Sequence, residues 1–428
     1  MIAAKVMHSL DPASGHFAVA PHEEGLAVFR AAREGLRYET SSDGLRWVAE
    51  TAVAEERGPL WPICAAEKIL NTHLFCTDAG GQVVGVTADR QRLSIQAPFR
   101  PVASGERWYE EMPDPSQMAI VRDDRNGVYR AFFCARRKTG RHPERRGCIG
   151  VATSPDLRTW NIEPPLFAPN LFPDLFAPHV LGDEGRCFIF YATREEGGVH
   201  GLRFAVAPRL EGPYERMEPD LLGCDVRSAV HTVRLGPRRL VFFTRTVSGG
   251  DSPTTLSRPG QLDFHANGRP FVRFYEPLLG LLGRTLFQTE ATLASGEILA
   301  RVLPRYGADF RLDATARSHG ARAVGVLFRT TMTGHDNVTL WLDYAAGAVI
   351  LRRGVSGRLL ARSPRKLIAG EKYRITVWAE GPFADVYVDD EWVLTGETEG
   401  RKAGWFGLAI LGGDARFENV AAQAIQNP

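Results

Sequence analysis

Carboxylates set beside aromatic rings and between prolines are the residues of this sequence best suited to chemistry. Trp108-Tyr109-Glu110-Glu111 puts two carboxylates directly after two rings. Such rings stack on the C–H faces of sugars, and they serve equally as packing. Just beyond, Pro113-Asp114-Pro115 holds a carboxylate between two rigid residues. That rigidity suits a preorganised site, and it suits a turn in which Asp114 caps a backbone amide. The run from Arg136 to Arg146 is strongly basic and reads as a solvated hairpin between strands, with contact to an anionic ligand or partner as the alternative. His335-Asp336-Asn337 lacks metal-ligand spacing and reads as a turn. The six cysteines, Cys64, Cys76, Cys134, Cys148, Cys187 and Cys224, are scattered without C-x-x-C spacing. They signal neither a zinc site nor a disulfide framework. No metal and no cofactor is expected.

The elements that must position these residues are strands. Weak repeats run along the first part of the chain. Each has a short apolar strand, a Gly-containing turn and a second strand rich in aromatic and β-branched residues. The clearest is Gln117-Met-Ala-Ile-Val121, the turn Arg125-Asn126-Gly127, then Tyr129-Arg-Ala-Phe-Phe-Cys134. Ser42-Asp43-Gly-Leu-Arg-Trp47 and Ser154-Pro-Asp-Leu-Arg-Thr-Trp160 repeat a later turn. Period-two alternation with regular turn signals argues an all-β chain. Repeats of roughly 40 to 55 residues fit four-stranded propeller blades, each needing neighbours to bury both faces. After about Gly283 the strands lengthen and alternate cleanly, as in Phe310-Arg-Leu-Asp-Ala-Thr315 and Tyr373-Arg-Ile-Thr-Val-Trp378, which reads as two packed antiparallel sheets. The expected architecture is a five-bladed β-propeller over 1–285 followed by a C-terminal β-sandwich over 286–428. Leu278-Leu-Gly-Leu-Leu282 reads as a short helical turn or a connector.

Composition excludes several classes. A net charge of +2 over 428 residues gives no reason to expect a nucleic-acid partner. No apolar run approaches the ~20 residues of a membrane span. The first residues lack the charged start and apolar run of a signal peptide. Thiols inside apolar strands, as at Cys187, suit a reducing compartment. A cytoplasmic protein is expected.

The chain resembles glycoside hydrolase family 32, the β-fructofuranosidases, and more loosely the propellers of family 43. The resemblance rests on Leu256-Ser-Arg-Pro-Gly-Gln-Leu-Asp-Phe-His-Ala-Asn-Gly-Arg-Pro270, on Tyr275-Glu-Pro-Leu-Leu279, on Leu351-Arg-Arg-Gly354 and on Ala384-Asp-Val-Tyr-Val-Asp-Asp-Glu-Trp-Val-Leu-Thr395. These are loose motifs in the family's order, within residues 100 to 425. The resemblance implies a small carbohydrate or glycoside-like ligand in the central funnel and three carboxylates on inner strands of different blades. In retaining cleavage the nucleophile and acid carboxyls stand about 5 to 5.5 Å apart.

Residue by residue, the resemblance puts Asp114 where the family has Arg-Asp-Pro. There it would bind sugar hydroxyls and steady the developing charge. Pro113 replaces the preceding Arg, so a sugar-binding cation is either missing or supplied from elsewhere, with Arg122 and Arg130 as the candidates. Asp225, in Cys224-Asp225-Val-Arg227-Ser228-Ala-Val-His231, is expected to start the inner strand of blade five, with His231 further along it as a second substrate-binding residue. Asp11, in His8-Ser-Leu-Asp11-Pro12-Ala-Ser-Gly15, is the nucleophile candidate; an Asp-Pro turn is the plainer reading. At the acid's place, where the family has Glu-Cys-Pro, this chain has Phe176-Ala177-Pro178-His179. No Glu stands there. Asp174 or His179 could supply the proton instead, and either could equally be structural. Trp108, Glu110 and Glu111 would line the rim. The expected function is hydrolysis of a furanoside or related small glycoside. The alternatives are a catalytically degenerate propeller that binds a sugar or a protein partner, and a biosynthetic cyclase or lyase reusing the pocket, because one fold hosts many functions.

Overall fold

The computed structural model describes residues 17–22, 25–32, 35–49, 53–54, 61–66, 73–77, 83–89, 92–101, 108–110, 118–140, 142–157, 159–183, 185–194, 200–225, 229–246, 254–294, 298–333, 336–398 and 402–426, with strand course alone between 53 and 101. They divide into two compact units.

The first unit holds consecutive antiparallel strand groups. One is Phe17–His22, Gly25–Ala32, Gly35–Ser41 and Val48–Ala49; the next is Trp61–Ala66, His73–Thr77, Val83–Asp89 and Arg92–Pro101. The third is Met118–Asp123, Val128–Arg136, Gly147–Ser154 and Thr159–Ile162. Phe176–Asp183, Arg186–Arg194 and His200–Ala207 follow, then Ala229–Leu235 with Arg238–Thr246 and Thr254–Leu256. The first strands of these groups are neighbours in a closed cycle. Phe17–His22 lies beside Trp61–Ala66, then come Met118–Asp123, Phe176–Asp183 and Ala229–Leu235, which returns to Phe17–His22. A ring of inner strands with further strands outward is a β-propeller arrangement.

The third group shows why the sequence builds it. Met118, Ile120, Tyr129, Ala131, Phe133, Cys148 and Ala152 go to one core cluster. Ala119, Phe132, Ile149 and Val151 go to another, shared with Val180, Ile189 and Tyr191 of the next group. Alternate residues thus enter different cores, and both faces of the sheet are buried. Such strands read as nearly continuous apolar runs. Burying a side chain such as Phe132, fully inaccessible here, contributes about 1.5–3 kcal/mol. Gly150 is required by this packing: a Cβ there would stand 2.2 Å from the Phe133 ring and 2.7 Å from the Tyr109 hydroxyl.

The second unit contains two antiparallel sheets. One runs in spatial order Leu282–Leu293, Asp414–Ile425, Phe310–His319, Lys372–Glu380, Phe383–Val388, Glu391–Glu397. The other is Ile298–Gly307, Gly404–Leu411, Ala323–Thr330, Val338–Asp343, Ala348–Arg353, Leu359–Pro364. Phe310 of the first sheet meets Phe406 of the second edge-on at 4.7 Å between centroids. The whole chain is all-β, with a propeller-type unit followed by a β-sandwich.

The second unit takes Glu195–Gly201, Leu222–Val226 and the chain from Asp263 onward. The reason is pairing: Pro270–Phe274 joins the sandwich sheet through Arg273 opposite Glu391, and Leu282–Leu293 lies along Asp414–Ile425. Glu276–Leu281 forms a short 3-10 helix, the turn expected there.

Candidate functional site

Three of the candidate carboxylates precede inner strands along the sequence. Asp114 stands four positions ahead of Met118, and Asp174 two ahead of Phe176. Asp225 stands four ahead of Ala229. Asp11, Glu111, Asp114 and His335 lie outside the described residues, as does the side chain of Asp225. One expectation is corrected. Asp225 does not start an inner strand; it ends the separate strand Leu221–Asp225, whose Cys224 pairs in parallel with Leu394. Gly223 makes that approach possible, because a Cβ there would lie 2.5 Å from the Trp392 ring.

His179 and His231 are partly buried on neighbouring inner strands. His179 is the first paired residue after a bulge: Phe176 faces Ala192 and His179 faces Phe190, so Ala177 and Pro178 oppose Tyr191. Ala177 adopts φ +45°, a left-handed conformation costing roughly 1–2 kcal/mol outside glycine. Bulges of this kind re-aim the side chains beside them. The Thr232 amide donates to His179 Nε2 at 3.2 Å, and the Thr232 hydroxyl lies 2.5 Å from the same nitrogen. A nitrogen that accepts an N–H carries no proton, which assigns the ring's hydrogen to Nδ1. Burial, with His231 nearby, pushes the His179 pKa down to about 3. His231, whose Nε2 is 2.9 Å from Thr244 Oγ1, is pushed down to about 4 by burial. Both rings keep some accessible surface. At neutral pH both are uncharged and poor proton donors.

A second cluster forms where the third group opens into its long hairpin. Trp108 packs against the core cluster of that group. Glu110 holds the guanidinium of Arg146 and lies 3.4 Å from Arg136. Arg136 also reaches Asp174 at 3.7 Å. Asp174 and Glu110, remote in sequence, are therefore joined through one arginine, and Asp174 is about half exposed.

Arg130 is turned elsewhere. It is buried, with Nε 2.7 Å from Asp123 Oδ2 and a terminal nitrogen 3.5 Å from Glu211. It pairs opposite Val121, toward the turn end of the hairpin and away from Met118. Arg122 lies over the Tyr129 ring at 4.6 Å. Sequence reasoning missed Thr232 and Thr244, the partners of the two histidines; alternation alone did not single them out. It also left Arg136 and Arg146 as a solvated loop. Among the described residues no group of three or more His, Cys, Asp or Glu side chains is arranged to hold a metal ion, and no helix is long and apolar enough to cross a membrane.

No family model and no curated protein sequence matches the chain. Solved structures do. Sucrose-6-phosphate hydrolase from Lactobacillus gasseri superposes with a TM-score of 0.70 at 10% identity, covering 96% of this chain and 91% of that one. A GH32 β-fructofuranosidase from Bombyx mori gives 0.63 at 11% identity, with 96% and 90% covered. Fructan 1-exohydrolase IIa from Cichorium intybus gives 0.66 at 11% identity, with 96% and 95% covered. The likeness at these identities is one of fold: the chain has the architecture of the family 32 glycoside hydrolases.

Proposed function

We propose that this chain, built on the family 32 glycosidase fold, hydrolyses a furanoside or a related small glycoside. The observation that carries the reading is the closed ring of inner strands, with Asp174 two residues ahead of one of them. In this reading Asp11 attacks the anomeric carbon, while Asp114 binds sugar hydroxyls and steadies the developing positive charge. Glu110, Glu111 and Trp108 stand at the rim. The leaving oxygen needs a proton, because an alkoxide is a poor leaving group; a positioned acid typically contributes ~10²- to 10⁴-fold. His179 is a neutral acceptor held by Thr232, so this role passes to Asp174. The free thiols Cys134, Cys148, Cys187 and Cys224 fit a cytoplasmic location.

Phe176 favours a second reading. An apolar ring heads the fourth inner strand, where this chemistry calls for a carboxyl. Without a substitute acid the propeller would bind glycosides and cleave only those with good leaving groups. Wild type and Asp174→Asn are compared on a nitrophenyl furanoside and on an unactivated disaccharide. The hydrolase reading expects turnover of both by wild type, with Asp174→Asn losing ~10²-fold or more on the disaccharide alone. Turnover of the aryl substrate only supports the second reading. No turnover across a broad furanoside panel refutes hydrolysis.

A further inference from the structure

Asn126-Gly127 and Asn267-Gly268 are the two Asn-Gly pairs of the chain. Such a pair carries its own chemistry. The glycine backbone nitrogen attacks the carbonyl carbon of the Asn side chain, a cyclic succinimide closes and ammonia leaves. Water then opens the ring at either carbonyl, giving aspartate or isoaspartate. The sequence of steps consumes only water, and glycine suits it because no Cβ crowds the attacking nitrogen. The fold treats the two pairs differently. Gly268 is buried, and its N–H donates to the His265 carbonyl at 2.7 Å. Asn267 Oδ1 accepts from the Arg269 N–H at 3.0 Å. Both reacting groups of that pair are therefore occupied. Asn126 and Gly127 are exposed at the tip of the hairpin that joins Met118–Asp123 to Val128–Arg136. A Cβ on Gly127 would meet nothing within 4 Å. Among the described residues no hydrogen bond holds the Gly127 N–H.

What Asn126 holds together gives its modification a consequence. Its Nδ2 donates to Asp123 Oδ2 at 2.8 Å and to Glu211, 85 positions away. Asp123 and Glu211 also share one guanidinium. Arg130 Nε stands 2.7 Å from Asp123 Oδ2, and a terminal nitrogen of Arg130 stands 3.5 Å from Glu211. Two carboxylates are thus matched by one buried cation, and the Asn126 amide supplies further donors without charge. Arg122 and Asp124, beside the turn, pair with each other at 3.5 Å. Glu211 belongs to the loop after His200–Ala207, next to Leu210, which packs on the core shared by the two strand groups. The amide therefore ties the tip of one strand group to a loop of the next.

We propose that Asn126 is a site of self-catalysed deamidation, and that its conversion to aspartate or isoaspartate releases this tie. The product loses the amide donors and sets a further carboxylate beside Asp123 and Glu211, with Arg130 alone against them. Like charges so close repel. Isoaspartate also adds a backbone carbon to a turn whose register sets Asp123 opposite Val128. The folded full chain is incubated at mildly alkaline pH, and peptides covering the two Asn-Gly pairs are followed by mass spectrometry. The Asn126 peptide should gain the mass of an amide-to-acid exchange several-fold faster than the Asn267 peptide, with the isoaspartate form separated by retention time. In chain unfolded by guanidinium chloride the two rates should converge. Equal rates in the folded chain, or no gain at Asn126, overturn the site, because the bonds to Asp123 and Glu211 would then hold the side chain away from the Gly127 nitrogen. Hydrogen exchange on peptides spanning 206–216 reads the consequence. Protection there should fall about three- to five-fold in Asn126→Asp. The loss should shrink at high salt, and Glu211→Gln in the same chain should recover part of it. Asn126→Ala, which removes the donors without adding charge, should lose less. Protection in Asn126→Asp equal to wild type overturns the release. A loss as large in Asn126→Ala overturns repulsion as its cause.

Discussion

The two partly buried histidines make the stability of the propeller depend on pH in a calculable way. His179 and His231 titrate near 3 and near 4 in the folded chain, against an ordinary value of 6.5. Both folded values are depressed, so both rings stay neutral in the fold while the unfolded chain takes up protons below 6.5. Stability is complete above 6.5 and is lost as pH falls toward the folded values. Each pH unit of mismatch costs about 1.4 kcal/mol. At pH 5 the loss is therefore roughly 2 kcal/mol per ring and about 4 for the pair. Carboxylates such as Asp123, where Asn126 and Arg130 donors outweigh the upward push of burial, weaken the fold in a lower window, below its ordinary 3.8. The assay is hydrogen exchange on peptides spanning 176–183 and 229–246, corrected for the pH dependence of intrinsic exchange, at pH 7.5 and pH 5. Wild-type protection should fall by about three decades. The His179→Gln/His231→Gln variant should lose far less, because glutamine can still accept from the Thr232 amide and does not titrate. The same loss in both proteins refutes the argument. It would mean that water reaches the partly exposed rings and solvates their charged forms.

Three further outcomes follow from the packing and the site. Asp114→Asn should abolish turnover and leave the melting temperature nearly unchanged; a large loss of stability with retained activity would make Asp114 a structural cap. Gly150→Ala should destabilise by about 1–3 kcal/mol through overpacking against Phe133 and Tyr109, and Phe133→Leu in the same chain should recover part of that in chemical denaturation. Asp123→Ala should cost about 3 kcal/mol, because it leaves buried Arg130 with only the more distant Glu211; a melting curve unmoved by the change would show that the pair adds nothing.

What was legible in the sequence was local. The two turns ending in tryptophan share one geometry. Ser41 Oγ accepts from Gly44 N–H at 2.8 Å, as Ser154 Oγ does from Leu157 N–H at 2.9 Å. Asp43 accepts from Arg46 N–H as Asp156 does from Thr159 N–H. Gly44 and Leu157 both take positive φ, and Trp47 and Trp160 are both buried. A few adjacent residues decide such a turn, so their order betrays it. Alternation in Val128–Arg136 was readable for the same reason. The partners of the site were not. Glu110 finds Arg146 across 36 positions and His179 finds Thr232 across 53. The first meeting depends on how the lead-in segment lies along the hairpin of its own group and the second on which strands stand side by side in the ring, and no local pattern encodes either. Pro270–Phe274 is a further case: its pairing with Glu391–Glu397 links segments more than a hundred positions apart.

The head of the fourth inner strand joins these two levels. Its side chains argue against catalysis, since Phe176 is apolar and His179 is bonded through Nε2 to Thr232. Its backbone argues the other way. Ala177 holds φ +45° inside a bulge, and neither feature helps a strand pair. Strain of this kind persists only where the surroundings over-determine it, and it concentrates at ligand sites. A simple packing residue at position 176 needs no bulge to reach a core, because regular alternation does that in the neighbouring group. The bulge has a use if Phe176 and the residues before it must be aimed at something bound. Asp174, two positions upstream and tied to Arg136, is the polar group that this aim brings along. The disaccharide rate of Asp174→Asn therefore reports on more than one residue. It decides whether the strained head of this strand serves proton transfer or only holds a ligand in place.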